Sequence, residues 1–192
     1  VTVVVVTHRD IVIESFNKFY INRGCSLLKN LLKNRRTHKY MRLLDIGCGN
    51  TRTFEKAARS RGMLWKGVDR SGSGEVTSML MEDLNLEDNY AEIIVSCHSL
   101  EHSKNPLKAL EEMYRVLKPG GYLFLATPPP NKHHILESDK DHYFVLTELQ
   151  LTKLLQVAGF VGIDVYTQRF YQGKLIDNPN NFNIISVCTK EE

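Results

Sequence analysis

The sequence predicts an α/β fold, a doubly wound and mostly parallel sheet, and three features carry that reading. An apolar strand, Leu43-Leu44-Asp45-Ile46, runs into Gly47-Cys48-Gly49, where glycines let the backbone turn tightly into a helix. Asp69 stands at the tip of the next apolar run, Leu64-Trp65-Lys66-Gly67-Val68, 20 residues after Gly49. Strand-like and helix-like patterns then alternate along the chain, as in a parallel sheet flanked by helices.

The elements follow in order. Residues 1–7 are short and β-branched and read as a strand or an arm. Residues 11–32 read as helical, with Phe16, Phe19 and Tyr20 on one side, a break at Gly24, and Leu27, Leu28, Leu31 and Leu32 continuing the apolar stripe. A strand over 41–46 leads to a helix through Phe54, Ala57 and Ala58 that ends near Gly62. Strands follow over 64–69 and 91–97. Asn105 and Pro106 supply a cap and a first-turn proline for a helix with Leu107, Leu110, Tyr114 and Leu117 as its buried stripe, stopped by Pro119-Gly120. A strand over 121–127 ends in Pro128-Pro129-Pro130. Thr147 and Gln150 form a capping box, Leu146 and Leu151 a hydrophobic staple, and Gly159 a helix stop. Strands over 162–170 and 182–189 close the chain. With no repeat and no second composition, the 192 residues read as one domain, an arm and helical cap over 1–39 and a core over 40–192.

A glycine turn beneath a helix N-terminus, with a carboxylate at the next strand end, suits a nucleoside-containing cofactor whose ribose hydroxyls Asp69 would hold. A dinucleotide fingerprint requires a third glycine, but Arg52 fills that slot between Thr51 and Thr53, and no G-K-[ST] follows for a phosphate loop.

The Asp45-Ile46-Gly47-Cys48-Gly49 pattern resembles that of class I S-adenosylmethionine-dependent methyltransferases. The resemblance extends to Asp83 in Met81-Glu82-Asp83-Leu84, to the strand and loop from Glu92 to His102, and to Glu111-Glu112-Met113-Tyr114-Arg115-Val116-Leu117-Lys118-Pro119-Gly120-Gly121. These motifs occur in family order over residues 41–160, most like the group with many small-molecule enzymes. The resemblance implies a Rossmann-like sheet of seven strands whose last two form a hairpin, the final strand inserted antiparallel. One departure stands out: only 13 residues separate Asp69 from Asp83, and they include Ser71-Gly72-Ser73-Gly74, so the helix between strands 2 and 3 is expected to be shortened or absent. For the cofactor, S-adenosylmethionine, the resemblance implies Asp45, Gly47, Cys48 and Gly49 around the methionine part, Asp69 at the ribose with Arg70 joining the set, Asp83 and Leu84 at the adenine, and His98 facing the transferred methyl. Asp45 and Asp69 also suit helix capping or turn formation, and Asp83 an exposed loop.

Methyl transfer from a sulfonium is an in-line displacement in which the leaving group becomes neutral, so the protein chiefly aligns the acceptor. A base is needed only where the acceptor must shed a proton. His98, His102 and His142 are the candidates for that base; ordinary hydrogen-bonded or surface histidines are the alternative. His133 and His134 add to the histidines around the expected mouth, and residues 131–143 are the expected acceptor loop. The His98–His102 spacing would suit a metal on a helix, but Asn105-Pro106 places the helix start later, so no metal is expected. Cys97 lacks the Pro-Cys setting of cytosine-carbon methylation and reads as a small hydrophobe; the proline run follows the wrong strand for amino-group methylation of a DNA base.

Composition bounds the remaining choices. No apolar run is long enough to span a bilayer, and residues 1–7 lack the features of a secretion signal. Cys25, Cys48, Cys97 and Cys188 are scattered without metal spacing, which favours reduced thiols in the cytoplasm. A net charge of +3 is too mild to imply nucleic acid by itself, although Lys29, Lys33, Arg35, Arg36, Lys39 and Arg42 cluster. The leading expectation is methyl transfer to oxygen, nitrogen or carbon of a small molecule. The alternatives are an RNA- or tRNA-modifying methyltransferase docking on the basic stretch 29–42, and a non-catalytic cofactor- or partner-binding module.

Overall fold

A computed structural model describes residues 14, 41–50, 52, 54–130, 141–168, 170, 171, 174, 175 and 183–192. The helical cap, most of the basic stretch, Cys25, His133 and His134 lie outside these residues.

Chain order among them is β1 (Arg42–Ile46), α1 (Glu55–Arg59), β2 (Leu64–Asp69), β3 (Thr77–Ser78), β4 (Ala91–Cys97), a 3-10 turn (Leu100–His102), α2 (Pro106–Val116), β5 (Leu117–Thr127), α3 (Glu148–Val157), β6 (Val161–Gln168), a small ribbon of β7 (Phe170–Tyr171) and β8 (Lys174–Leu175), and β9 (Asn183–Thr189). Seven strands form one sheet in the order β3-β2-β1-β4-β5-β9-β6. The first five are parallel, and β9 enters antiparallel between β5 and β6.

Side chains alternate across this sheet with period two. Leu44, Ile46, Ile94, Leu123 and Leu125 belong to one apolar cluster with α2 and α3. Leu43, Ile93, Val95 and Phe124 belong to the other, where Phe54 packs edge-on against Phe124 at 6.2 Å. Both faces of the inner strands are therefore buried, as a doubly wound sheet requires.

Parallel neighbours are normally joined through a crossover of a dozen residues or more, usually a helix. Here β2 reaches β3 in seven, residues 70–76, and no helix lies between them. Ser73 and Val76 instead close a tight turn through reciprocal backbone bonds of 3.2 and 3.0 Å around Gly74, at φ +58°. β3 is accordingly only two residues long.

Helix α2 departs from its expected stripe. It buries Ala109, Leu110, Met113 and Val116, while Leu107 and Tyr114 are half-buried. Tyr114 packs edge-on against Phe160 at 5.2 Å, and Lys190 lies over its ring. The helix ends at Val116, so Pro119 and Gly120 fall inside β5, where a register shift against β4 and a φ of +71° at Gly120 absorb them. The capping box on α3 is present in full, and Gly159 follows that helix at φ +100°.

Candidate active site

The site grows from the C-terminal ends of β1, β2 and β4, where an open α/β sheet leaves a crevice. After Ile46 the chain turns at Gly47 (φ +70°) and Gly49 (φ +51°). Both conformations are expensive for other residues. A Cβ on Gly47 would lie 2.2 Å from that of Ser99, so the close approach of the loop to the β4 turn also demands glycine. The Gly47 amide donates to the Val68 carbonyl at 2.8 Å, tying loop to sheet.

A cavity of about 570 Å³ opens beside this loop, within the roughly 300–1,000 Å³ of small-molecule sites. Its floor is Ile46, Gly47, Val68 and Asp69; Arg70 and Ser71 continue one side. Met79, Leu80, Met81 and Glu82 form a second wall, and Ser99, His102, Ser103, Lys104, Asp141 and Tyr143 a third.

Asp69 combines two duties. Its Oδ2 accepts from the Gly49 amide at 3.0 Å, and its Oδ1 accepts from the Ser71 amide at 3.0 Å and hydroxyl at 2.7 Å. It thus forms a turn and fixes the glycine loop while still facing the cavity. Partial burial pushes its carboxyl up, but the bonds from Ser71 and Gly49, with Arg70 nearby, outweigh that and hold its pKa below the ordinary value.

Asp45 lies beneath the loop rather than on the cavity wall. It is buried, accepts from the Trp65 indole N–H at 3.1 Å, and burial pushes its carboxyl up to about 7 against bonds from Trp65 and the Phe54 amide. It supports the start of α1 from below. Cys48 is likewise buried beside Trp65 and Gly67, and burial with the nearby Asp45 and Asp69 raises its thiol to about 12. Gly49 acts through its bond to Asp69.

The acidic pair after β3 resolves differently from the sequence expectation. Asp83 is exposed and its amide closes a turn onto the Leu80 carbonyl at 3.1 Å, so its neighbour Glu82 lines the cavity. The Oε1 of Glu82 accepts from the Ser103 hydroxyl at 2.6 Å and the Lys104 amide at 3.1 Å, joining two walls. Leu84 sits in the core, and its amide donates to Glu112 Oε2 at 2.9 Å. Asp83 and Leu84 are therefore not among the residues that line the cavity, Asp83 turned to solvent by the Leu80–Asp83 turn and Leu84 drawn into the core.

The three histidines separate. His98, at φ +49°, points its Nε2 toward Asn183 Oδ1 at 2.6 Å and its Nδ1 toward Glu101 at 3.4 Å, away from the cavity lining. His102 lines the cavity with its Nδ1 2.9 Å from the Asp141 carbonyl. His142 stacks edge-to-face on His102 at 4.8 Å. The Tyr143 amide donates to the Glu101 carbonyl at 2.8 Å, which docks residues 141–143 on the 3-10 turn. Ser99, Glu82, Glu101 and the methionines of the second wall escaped sequence reasoning. Their only sequence signal was proximity to strand ends.

Arg42, the last residue of the basic stretch and its one basic residue among those described, begins β1 at the end of the strand away from the glycine loop. Its amide donates to Glu92, and its guanidinium contacts Glu87 and lies over Tyr90.

Comparison with known proteins decides the family. Residues 16–165 match the model of a family described as a methyltransferase domain. The chain belongs to that family, the S-adenosylmethionine-dependent methyltransferases. This methyltransferase is 29% identical to a ubiquinone biosynthesis O-methyltransferase of Dinoroseobacter shibae, covering 83% of this chain and 77% of that protein. It is 33% identical to a demethylmenaquinone methyltransferase of Staphylococcus aureus over 48% of this chain and 45% of the relative. Among solved structures, a SAM-dependent methyltransferase from Archaeoglobus fulgidus has 18% identity and a TM-score of 0.63, covering 91% of this chain and 98% of that one. A Haemonchus contortus phosphoethanolamine N-methyltransferase bound to S-adenosyl-L-methionine has 17% identity and a TM-score of 0.63 over 89% of this chain and 53% of that one. Among the described residues no helix is long and apolar enough to cross a membrane.

Proposed function

We propose that this methyltransferase transfers the methyl of S-adenosylmethionine to a small molecule, with the donor in the cavity beside Gly47 and Asp69. The observation that carries the reading is the placement of the Asp69 carboxylate: it lines a cavity of small-molecule size while its own hydrogen bonds fix the glycine loop. In this reading Asp69 accepts from the ribose hydroxyls, with Arg70 and Ser71 alongside. Met79, Leu80 and Met81 bed the adenine, Glu82 takes the place expected of Asp83, and Gly47 leaves bare backbone against the methionine part. The acceptor approaches from the side of His102 and Tyr143. Alignment does most of the chemical work, and His102 is the histidine placed to take a proton if the acceptor carries one.

Similarity to a relative named for ubiquinone biosynthesis favours a hydroxylated ring as the acceptor class. The alternative acceptor is RNA docked on the basic stretch 29–42, of which Arg42, at the start of β1, is the one basic residue described. The test is methyl incorporation from labelled donor into a panel of hydroxylated aromatic compounds and, in parallel, into total tRNA. Incorporation into a small molecule with little salt dependence supports the reading. Incorporation into RNA alone, falling steeply with salt, overturns it.

A further inference from the structure

The wall that carries His102 holds a group the methyl-transfer reading does not use. Glu101 is 4% exposed, and neither of its carboxylate oxygens has a hydrogen-bond partner. A buried carboxylate without donors is costly, so a native chain that keeps one generally supplies a compensating charge. The His98 Nδ1 stands 3.4 Å from Oε1. The carboxylate also lies near two imidazoles, of which His102 lines the cavity: one ligand atom each from Glu101, His102 and His142 lie within 4.8 Å of one another.

We propose that Glu101, His102 and His142 form a binding site for one divalent transition-metal cation on the acceptor wall of the cavity. Three details fit. Two imidazoles and one carboxylate are a donor set for zinc, iron, nickel or manganese, and they leave further positions open for water or an acceptor oxygen. The His102 Nδ1 lies 2.9 Å from the Asp141 carbonyl, a bond of the kind that fixes the tautomer of a ligating imidazole and presents its Nε2 to the metal. The Tyr143 amide and the Glu101 carbonyl hold the His142 segment against the 3-10 turn, so the three ligands rest on two tied pieces of backbone. The site goes beyond the donor reading and does not depend on it, because its three ligands belong to the 3-10 turn and to the 141–143 segment, whereas the donor reading rests on the ends of β1 and β2.

The full chain, stripped with chelator and titrated with Co²⁺ as a spectroscopic probe and then with Zn²⁺, tests this. One equivalent of Co²⁺ bound with visible d–d absorption, and displaced by Zn²⁺, is the expected result. Glu101→Gln and the double variant His102→Ala/His142→Ala should each weaken binding by at least the roughly 10–100-fold that even an outer-shell change costs. Circular dichroism confirms that each variant is folded, and Glu101→Gln preserves the side-chain volume if the double variant is not. Absence of cobalt binding, or binding undiminished in folded variants, overturns the site and leaves the Glu101 carboxylate in contact with His98. Titration with S-adenosylmethionine, which involves none of these ligands, separates failure of this site from failure of the donor reading.

Discussion

The Gly49 amide donates to the Asp69 carboxylate at 3.0 Å, so the residue facing the cavity also holds the loop that shapes it. Asp69→Ala removes that bond together with two from Ser71. Under the proposed donor site, affinity for S-adenosylmethionine should fall by about 2–4 kcal/mol and folding stability by about 1–3 kcal/mol. Calorimetry and denaturant unfolding read the two losses separately. An intact donor affinity would remove Asp69 from the site.

Gly47 meets Ser99 more closely than any Cβ allows, and its φ is +70°. Gly47→Ala should destabilise by roughly 2–5 kcal/mol through overlap and backbone strain together. Adding Ser99→Gly removes the overlapping Cβ but not the strain. The double variant should therefore recover part, and only part, of the lost stability in a double-mutant cycle.

Asp45 gives a pH signature of unusual sign. Its carboxyl titrates near 3.8 in the unfolded chain and near 7 when folded. Between those values the folded state holds the extra proton, so this residue makes stability fall as pH rises and adds no further slope above the upper value. Asp45→Asn removes the effect. Its stability relative to the parent should rise from pH 4 to pH 7 and then level off, measured by urea unfolding at each pH. A flat difference would mean that Asp45 is ionised throughout.

Arg115 belongs to the segment that resembles a family signature, yet its guanidinium acts away from the cavity. It donates to the carbonyls of Leu84 and Leu86, both at 2.7 Å, and pairs with Glu112 and Asp88. Lysine cannot reproduce this fork. Arg115→Lys should lower stability by about 2 kcal/mol and leave donor affinity nearly unchanged. A large loss of affinity in a stable variant would give the residue a role in binding.

The pattern behind these results separates what is local from what is long-range. Strands β2 and β4 fall at their expected bounds because each is a short apolar run closed by polar residues, and the capping box at Thr147 is a local device. The missing helix after β2 was also visible in its spacing. What spacing could not settle was which of two adjacent acids faces inward, since a one-residue change in the turn at Leu80–Asp83 exchanges Glu82 for Asp83. His98 turns on a positive φ and a contact with Asn183, 85 residues away, which no local pattern carries. Glu101 carries no local signal of burial, yet it is 4% exposed in the fold, where the Tyr143 amide bonds its carbonyl from 42 residues along the chain.

If the cavity beside Gly47 and Asp69 holds S-adenosylmethionine, parallel calorimetric titrations with S-adenosylmethionine and with NAD will separate the two cofactor classes. Micromolar binding of S-adenosylmethionine with no binding of NAD is the predicted result. Binding of NAD in preference, or of neither, would contradict it.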